Sequence, residues 1–403
     1  MKFMDNVNLK YTILFGGGAI RGVAYSGALK AIEELDIKYD TLAGSSVGAV
    51  FAALVAVGYN SEEIKNILLK VNYDLFRDIQ IGIGSQFALS KGEVFLDWLR
   101  ELIEKKFYGD NYKKGRNKAV TFGDIEKNLV IITTDLSNFE CKEFSKVETP
   151  DFEIAKAVRI SSGMPGLMKP VEYNNRVLVD GDLQKSAPMW SLSPNLQKEG
   201  ERIVEFRLEG DFQGNDHNAI EFANAIYSYA TSTGTKFLTK IYGCRDNYDY
   251  ITIDTGDLNI VDFNVSEEKR LQLVESGYNQ TYDYFKNKLF EKKQMLLKIY
   301  TEISQHLDMC EFQIRKGNTY QAKCELGELY MNLCENITLI NSTDNKNINK
   351  FKNAFLDNYK TPALFGKAKL NNEKLVTAEL INCKQTITSR INEYIKYIET
   401  FSK

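Results

Sequence analysis

The chain has 403 residues, 43% of them apolar and 26% charged, with a formal net charge of −3. This is the composition of a globular protein long enough for one large domain or two ordinary ones. No run of eighteen apolar residues occurs, so no transmembrane helix is expected, and the small net charge gives no reason to expect a nucleic-acid partner.

Met1 to Lys10 is polar and lacks the apolar core of a signal peptide, which argues for residence in the cytosol unless a non-classical route carries the chain out. Tyr11 to Phe15 is a short β-prone run that ends in Gly16, Gly17, Gly18, Ala19, Ile20, Arg21 and Gly22. After it, Ala24, Ala28, Leu29, Ile32 and Leu35 mark one face of a helix. A glycine loop between strand and helix leaves backbone N–H groups pointing one way and cradles an anion, either a nucleotide phosphate or the oxyanion of an acyl-transfer intermediate. Gly16, Gly18 and Gly22 miss the dinucleotide spacing by one, and Val23 follows Gly22 where a P-loop needs lysine, so the oxyanion reading is favoured.

Asp40 to Ala43 forms a second short strand and delivers Gly44, Ser45, Ser46, Val47, Gly48, the Gly-x-Ser-x-Gly pattern of a nucleophile elbow, with Ala49 to Val57 as a buried helix behind it. Two glycine loops one helix apart can lie side by side at the carboxyl ends of parallel strands. Ser61 to Val71 and Ser90 to Phe107 read as helices, the second with a Ser90/Glu93 capping box. Ile79 to Leu89, apolar and poorly periodic, reads as a buried connection or a lid. Leu129 to Thr134 is a central strand, and Arg176 to Val179 is another that ends in Asp180, Gly181, Asp182.

A serine nucleophile needs a base. The histidines are His217, in a polar segment, and His306, in the helical tail; Ser46, Asp180, His217 follow one known order for a triad. Without histidine the base is a carboxylate, and Asp180, at a strand end before a glycine, is the candidate for a Ser-Asp dyad, with Asp182 second and a hairpin turn as the plain alternative.

Beyond residue 285 the composition changes. Of 27 glycines only Gly317, Gly327 and Gly366 lie there, and of six prolines only Pro362. Leu289, Leu296, Ile299, Ile303 and Leu307 recur at helical intervals, and Leu375, Ala378, Ile381, Ile387, Ile391 and Ile395 less regularly. Asn341 to Lys350 reads as a loop between helices. Residues 286–403 carry 19 basic against 13 acidic side chains, for +6, and the rest 32 against 41, for −9. A basic helical tail on an acidic body suits an anionic surface or a protein partner, and equally a solvated face. The six cysteines form no metal-ligand grouping and read as reduced; neither metal nor cofactor is expected.

The blocks Gly16–Gly22, Ala24–Leu29, Gly44–Gly48, Arg159–Pro165 and Asp180–Gly181 together resemble the patatin-like phospholipases, in order and rough spacing, over about residues 9–288. Ile253 to Gly277, with Asp262, Phe263 and Glu267, looks like the segment with which bacterial members close the domain. The resemblance implies a three-layer α/β/α domain with a mainly parallel sheet over residues 1–288, followed by a helical region, 289–403. It implies a lipid acyl hydrolase of phospholipase A or lipase type, a serine hydrolase acting on phospholipid at a membrane surface. Carried over by position, Ser46 is the nucleophile, Asp180 the base, and the amides of Gly17, Gly18 and Ala19 the oxyanion hole. Gly16, Arg21, Gly22, Gly44, Gly48 and Gly181 support them. Two departures stand out: Ala19 replaces a third glycine, which leaves the register of the loop open by one position, and Asp182 follows Asp-Gly where glycine or alanine is usual. A degenerate, non-catalytic patatin fold and a soluble-ester esterase or thioesterase are the alternative functions; the helical tail is a candidate site for an activator, and the oligomeric state is undetermined by sequence.

Overall fold

The computed structural model describes residues 11–71, 88–184, 202–210, 248–258, 265–337, 340–361 and 367–401. They fall into two compact units that divide between Asp283 and Tyr284.

The first unit is built on β1 (Tyr11–Phe15), α1 (Ala24–Glu34), β2 (Tyr39–Gly44), α2 (Val47–Ala56), α3 (Ser61–Lys70), β3 (Ala88–Ser90), α4 (Glu93–Tyr108), β4 (Asn128–Asp135), β5 (Glu140–Ser145), α5 (Ile154–Ser161), β6 (Gly166–Met168), β7 (Val171–Tyr173), β8 (Arg176–Asp180), β9 (Arg202–Glu209), β10 (Tyr248–Asp254) and α6 (Glu267–Asp283). The central sheet has the order β10-β9-β1-β2-β4-β8-β7, with β5 also on β4. Pairing is parallel from β10 through to β4 and antiparallel for β5, β8 and β7. The expected mainly parallel sheet flanked by helices is present.

β1 and β4 are buried along nearly their whole length because both faces of the sheet are covered there. On one face Phe15, Tyr25, Phe51 and Phe206 form a ring cluster with centroids 4.8 to 6.5 Å apart. Leu14, Ala43, Val130, Ile132, Ile203 and Tyr248 form the core of the other. Helix α2 is apolar all round and buried along almost its whole length, the pattern of a central helix rather than a surface one. Glycines let α1 and α6 touch backbone to backbone: a Cβ on Gly27 would lie 1.8 Å from the Val274 carbonyl oxygen, and one on Gly277 2.0 Å from that of Ala24.

Local capping sets the helix starts: α3 begins at Ser61 as expected, and α4 begins three residues later than expected. At α3 the cap is Asn60, in a reciprocal box with Glu63. At α4 the expected Ser90/Glu93 box does not form: Ser90 lies in β3, its hydroxyl accepts from the Gly92 N–H, and Gly92, at φ 74°, caps the helix. Of the expected connection or lid over Ile79 to Leu89, residues 79–87 lie outside the described residues.

The second unit contains α7 (Leu289–Arg315), α8 (Thr319–Glu335), α9 (Ser342–Asn358), the two-stranded pair β11 (Tyr359–Lys360) and β12 (Lys369–Leu370), and α10 (Glu373–Phe401). Its core takes Leu296, Ile303, Leu307 and Ile314 from α7, and each of the other helices adds a similar stripe. The expected loop over Asn341–Lys350 is instead the start of α9: Asn341 caps it by accepting from the Thr343 N–H, and Ile348, Phe351 and Phe355 face the core. In α10 the buried stripe is Val376, Leu380, Cys383, Ile387 and Tyr394; of the expected positions Ile387 is buried and Ile391 packs against the core, whereas Leu375, Ile381 and Ile395 are exposed. A buried Asp344 accepts from Tyr300 Oη (2.7 Å) and Arg390 Nε (3.0 Å) and ties three helices together. Burial pushes the thiols of Cys310 and Cys383 up to about 12, so both are inert thiols at neutral pH. Among the described residues no helix is long and apolar enough to cross a membrane.

The α1–α6 contact gives a direct test. Gly277→Leu gains under about 1 kcal/mol of helix propensity but drives a side chain into the α1 backbone, an overpacking cost of about 1–3 kcal/mol or more. The variant should unfold at a lower urea concentration; an unchanged midpoint would contradict the contact.

Candidate active site

Strand register brings the two glycine loops together. Phe15 at the end of β1 is paired with Gly44 of β2 on one side and with Phe206 of β9 on the other. The Ser45 N–H donates to the Phe15 carbonyl and the Gly16 N–H to that of Phe206, so both loops leave the sheet at one level. The turn closes only because side chains are absent: a Cβ on Gly44 would lie 2.3 Å from the Gly48 carbonyl oxygen, and one on Gly48 2.0 Å from that of Phe15. Gly22 meets Val47 in the same way, at 2.3 Å.

Ser46 sits at the apex with φ 53° and ψ −128°, a conformation costly for any residue with a side chain. Its backbone is held by α5: the Ser46 N–H donates to Ser161 Oγ (3.0 Å), which donates in turn to the Ile132 carbonyl (2.6 Å), and Ser162 Oγ donates to the Ser46 carbonyl (3.3 Å). Ser46 Oγ donates to Asp180 Oδ2 at 2.8 Å, across 134 residues of sequence. Asp180 is fully buried at the end of β8; its N–H donates to the Gly163 carbonyl, Thr134 Oγ1 donates to its carbonyl (2.8 Å), and its Oδ1 accepts the Asp182 N–H (2.8 Å). Gly181 lies between them, where a Cβ would come 2.2 Å from the Ile132 carbonyl oxygen.

The glycine loop is fixed peptide by peptide. Tyr25 Oη donates to the Gly16 carbonyl (2.7 Å). A trans peptide points its N–H opposite its C=O, and the Gly17 N–H accordingly runs the other way, to Asp182 Oδ1 (3.0 Å). Both the N–H and Nε of Arg21 donate to the Gly18 carbonyl (3.2 Å each), which turns the Ala19 N–H away from Arg21. Gly18 has φ 153° and Ala19 φ 49°, so the position where alanine replaces glycine is itself left-handed. Burial lowers the pKa of Arg21 and raises that of Tyr25 well above its ordinary value, the first opposed by the Asp182 charge and the second reinforced by it.

Sequence reading assigned the Gly17, Gly18 and Ala19 amides one role. In the structure the Gly17 amide is taken by Asp182, and the amides of Gly18 and Ala19 donate to no other described residue. Gly16, Arg21, Gly22, Gly44, Gly48 and Gly181 all lie around Ser46 and Asp180. Of the histidines, His217 lies outside the described residues, and His306 belongs to the helical unit, with Nδ1 3.5 Å from Glu325. Ser161, Ser162 and Tyr25 lie in the blocks Arg159–Pro165 and Ala24–Leu29 that carry the resemblance, and Thr134 ends a predicted strand, but the sequence assigns none of the four a role at the site. Arg159, buried beside them, donates from Nη2 to the Lys91 and Lys169 carbonyls (2.6 and 2.8 Å) and so joins the residues that follow β3 and β6. Met164, with Ala19, Leu167 and Leu183, makes an apolar cluster next to the two loops. No group of acidic, histidine or cysteine side chains fit to hold a metal occurs among the described residues.

The geometry defines a class: an α/β protein with a strained serine elbow at the carboxyl ends of parallel strands. Residues 13–192 match the sequence profile of the patatin-like phospholipases, and this segment of the chain is similar to that family. It is 25% identical over 295 residues to the uncharacterized protein YqhO of Bacillus subtilis (strain 168), covering 68% of this chain and 97% of that protein. It is 29% identical over 223 residues to the probable lipid hydrolase 463L of Invertebrate iridescent virus 6, covering 53% of this chain and 75% of the viral one. The crystal structure of VipD from Legionella pneumophila aligns over 98% of this chain and 92% of its own, with 15% identity and a TM-score of 0.49.

Ser161→Ala removes the acceptor of the Ser46 N–H and the donor to Ile132 together. Leaving a buried polar group unpaired costs about 1–3 kcal/mol, so the variant should show a clearly lowered urea midpoint. A midpoint equal to wild type would mean that the Ser46 backbone does not depend on Ser161.

Proposed function

We propose that the chain is a lipid acyl hydrolase of phospholipase A type that works through a Ser46–Asp180 dyad. The observation that carries this reading is the 2.8 Å hydrogen bond from Ser46 Oγ to the carboxylate of an aspartate that is held by two backbone hydrogen bonds and by the Asp182 N–H on its other oxygen, beside a glycine loop with two amides that donate to no other described residue. The name of the viral relative, a probable lipid hydrolase, supports the substrate class. In this reading residues 1–288 carry the chemistry, and the helical region 289–403 lies outside it.

Asp180 Oδ2 accepts the proton of Ser46 Oγ as that oxygen attacks the ester carbonyl carbon. The carbonyl oxygen becomes an oxyanion facing the amides of Gly18 and Ala19, the intermediate collapses, and the leaving alcohol takes the proton from Asp180. Water then repeats the sequence on the acyl-enzyme, with Asp180 again accepting and returning a proton. A carboxylate is a weak base for a hydroxyl, so stabilisation of the oxyanion must carry much of the rate, at about 100- to 1,000-fold per donor. The apolar cluster of Ala19, Met164, Leu167 and Leu183 offers the acyl chain a dry surface adjoining the loop.

Ser46→Ala and Asp180→Asn should each reduce fatty acid release from phosphatidylcholine vesicles by at least about 1,000-fold. Near-wild-type release by either variant would refute the dyad.

A further inference from the structure

Asp182, which departs from the pattern usual in the patatin-like phospholipases, touches the glycine loop, the residue before the candidate nucleophile and Asp180. It is 3% exposed, and its Oδ1 accepts from the Gly17 N–H (3.0 Å) and from Ser45 Oγ (2.5 Å), while its own N–H donates to Asp180 Oδ1 (2.8 Å). A Cβ on Gly17 would lie 1.6 Å from Asp182 Oδ2: the carboxylate occupies the space of the missing side chain. One side chain therefore bridges the glycine loop and the residue just before the nucleophile.

This bridge bears on which amides face a substrate. Alternate peptides of the loop are pinned through their carbonyls, Gly16–Gly17 by Tyr25 and Gly18–Ala19 by Arg21. The N–H of the first of these peptides, on Gly17, donates to Asp182 Oδ1. A buried N–H seeks an acceptor; without Asp182 the peptide before Gly17 has reason to rotate, and the amides after it would lose their setting. The second unusual feature, Ala19 with φ 49°, lies two residues further along the same loop. An alanine held in that conformation needs a loop that is fixed on both sides.

We infer that the Asp182 side chain is a positioning residue that sets the register of the oxyanion loop, reserving the Gly17 amide for itself and leaving those of Gly18 and Ala19 to the substrate. It holds the loop as a hydrogen-bond acceptor rather than as a base, and it touches no reacting atom. This assignment rests on the hydrolase reading above.

The test compares wild type, Asp182→Ala, Asp182→Asn and Ser45→Ala in full-length chains, with p-nitrophenyl butyrate and phosphatidylcholine vesicles as probes. Loss of oxyanion positioning should lower kcat of the alanine variant about 100-fold with KM changed less than about threefold. The asparagine variant, whose amide oxygen can accept both hydrogen bonds, should stay within about tenfold of wild type. Ser45→Ala, which frees one side of Asp182, should lose about tenfold in kcat at unchanged KM. The inference is overturned if Asp182→Ala turns over within threefold of wild type, or if asparagine is as slow as alanine. Should the alanine variant not fold, the other two decide: an inactive asparagine variant or a fully active Ser45→Ala variant overturns it. A wild-type chain that hydrolyses neither probe instead overturns the hydrolase reading, and this assignment with it.

Discussion

Phe15 and Gly44 end their strands side by side, and the contact between the loops that follow leaves no room for side chains. Much of the first unit serves this approach. The parallel register of β9, β1 and β2 sets the level at which the loops begin, and the aromatic cluster of Phe15, Tyr25, Phe51 and Phe206 fixes the helices behind them. Gly22, Gly44 and Gly48 are then required because backbone must lie against backbone or against Val47. The left-handed turn at Ser46 is the strained result, and it is held by hydrogen bonds from α5 to both sides of that residue.

Around this turn the polar groups form one connected network. Asp180 and Asp182 alternate with Gly181 at the end of β8, and their carboxylates accept from the adjacent serines Ser46 and Ser45. The pairs differ in what else they touch. Asp182 reaches inward to the glycine loop, while Asp180 is fixed by its own backbone and by the Asp182 N–H. The two carboxylates thus have separate partners although only two residues apart, which lets one be read as a base and the other as a brace.

Much of the fold was legible in the sequence. Short apolar runs mark buried strands, and these runs located the parallel β1, β2 and β4 and the antiparallel β8 to within a residue or two. The change in glycine and proline content near residue 285 marked the helical region. What failed was local. Asn341 and its polar neighbours read as a loop because asparagine favours turns, yet tertiary packing of Ile348, Phe351 and Phe355 outweighs that preference. Ser90 seemed a helix cap because its spacing to Glu93 fits, but Gly92 can take φ 74° and caps the helix itself. At the site, residue types and spacing named the glycines, Ser46 and Asp180. They could not reveal that the Gly17 amide is taken by a side chain 165 residues away, because no local pattern records such a contact.

The proposed Ser46–Asp180 dyad requires that Ser46, and not its neighbour Ser45, be the nucleophile. Both are serines on aspartates, so the measurement must tell adjacent residues apart. The chain can be incubated with a long-chain alkyl fluorophosphonate, digested, and the modified peptide fragmented in a mass spectrometer. The account predicts one phosphonyl group per chain, on Ser46. A group on Ser45, or a chain left unmodified, would contradict it.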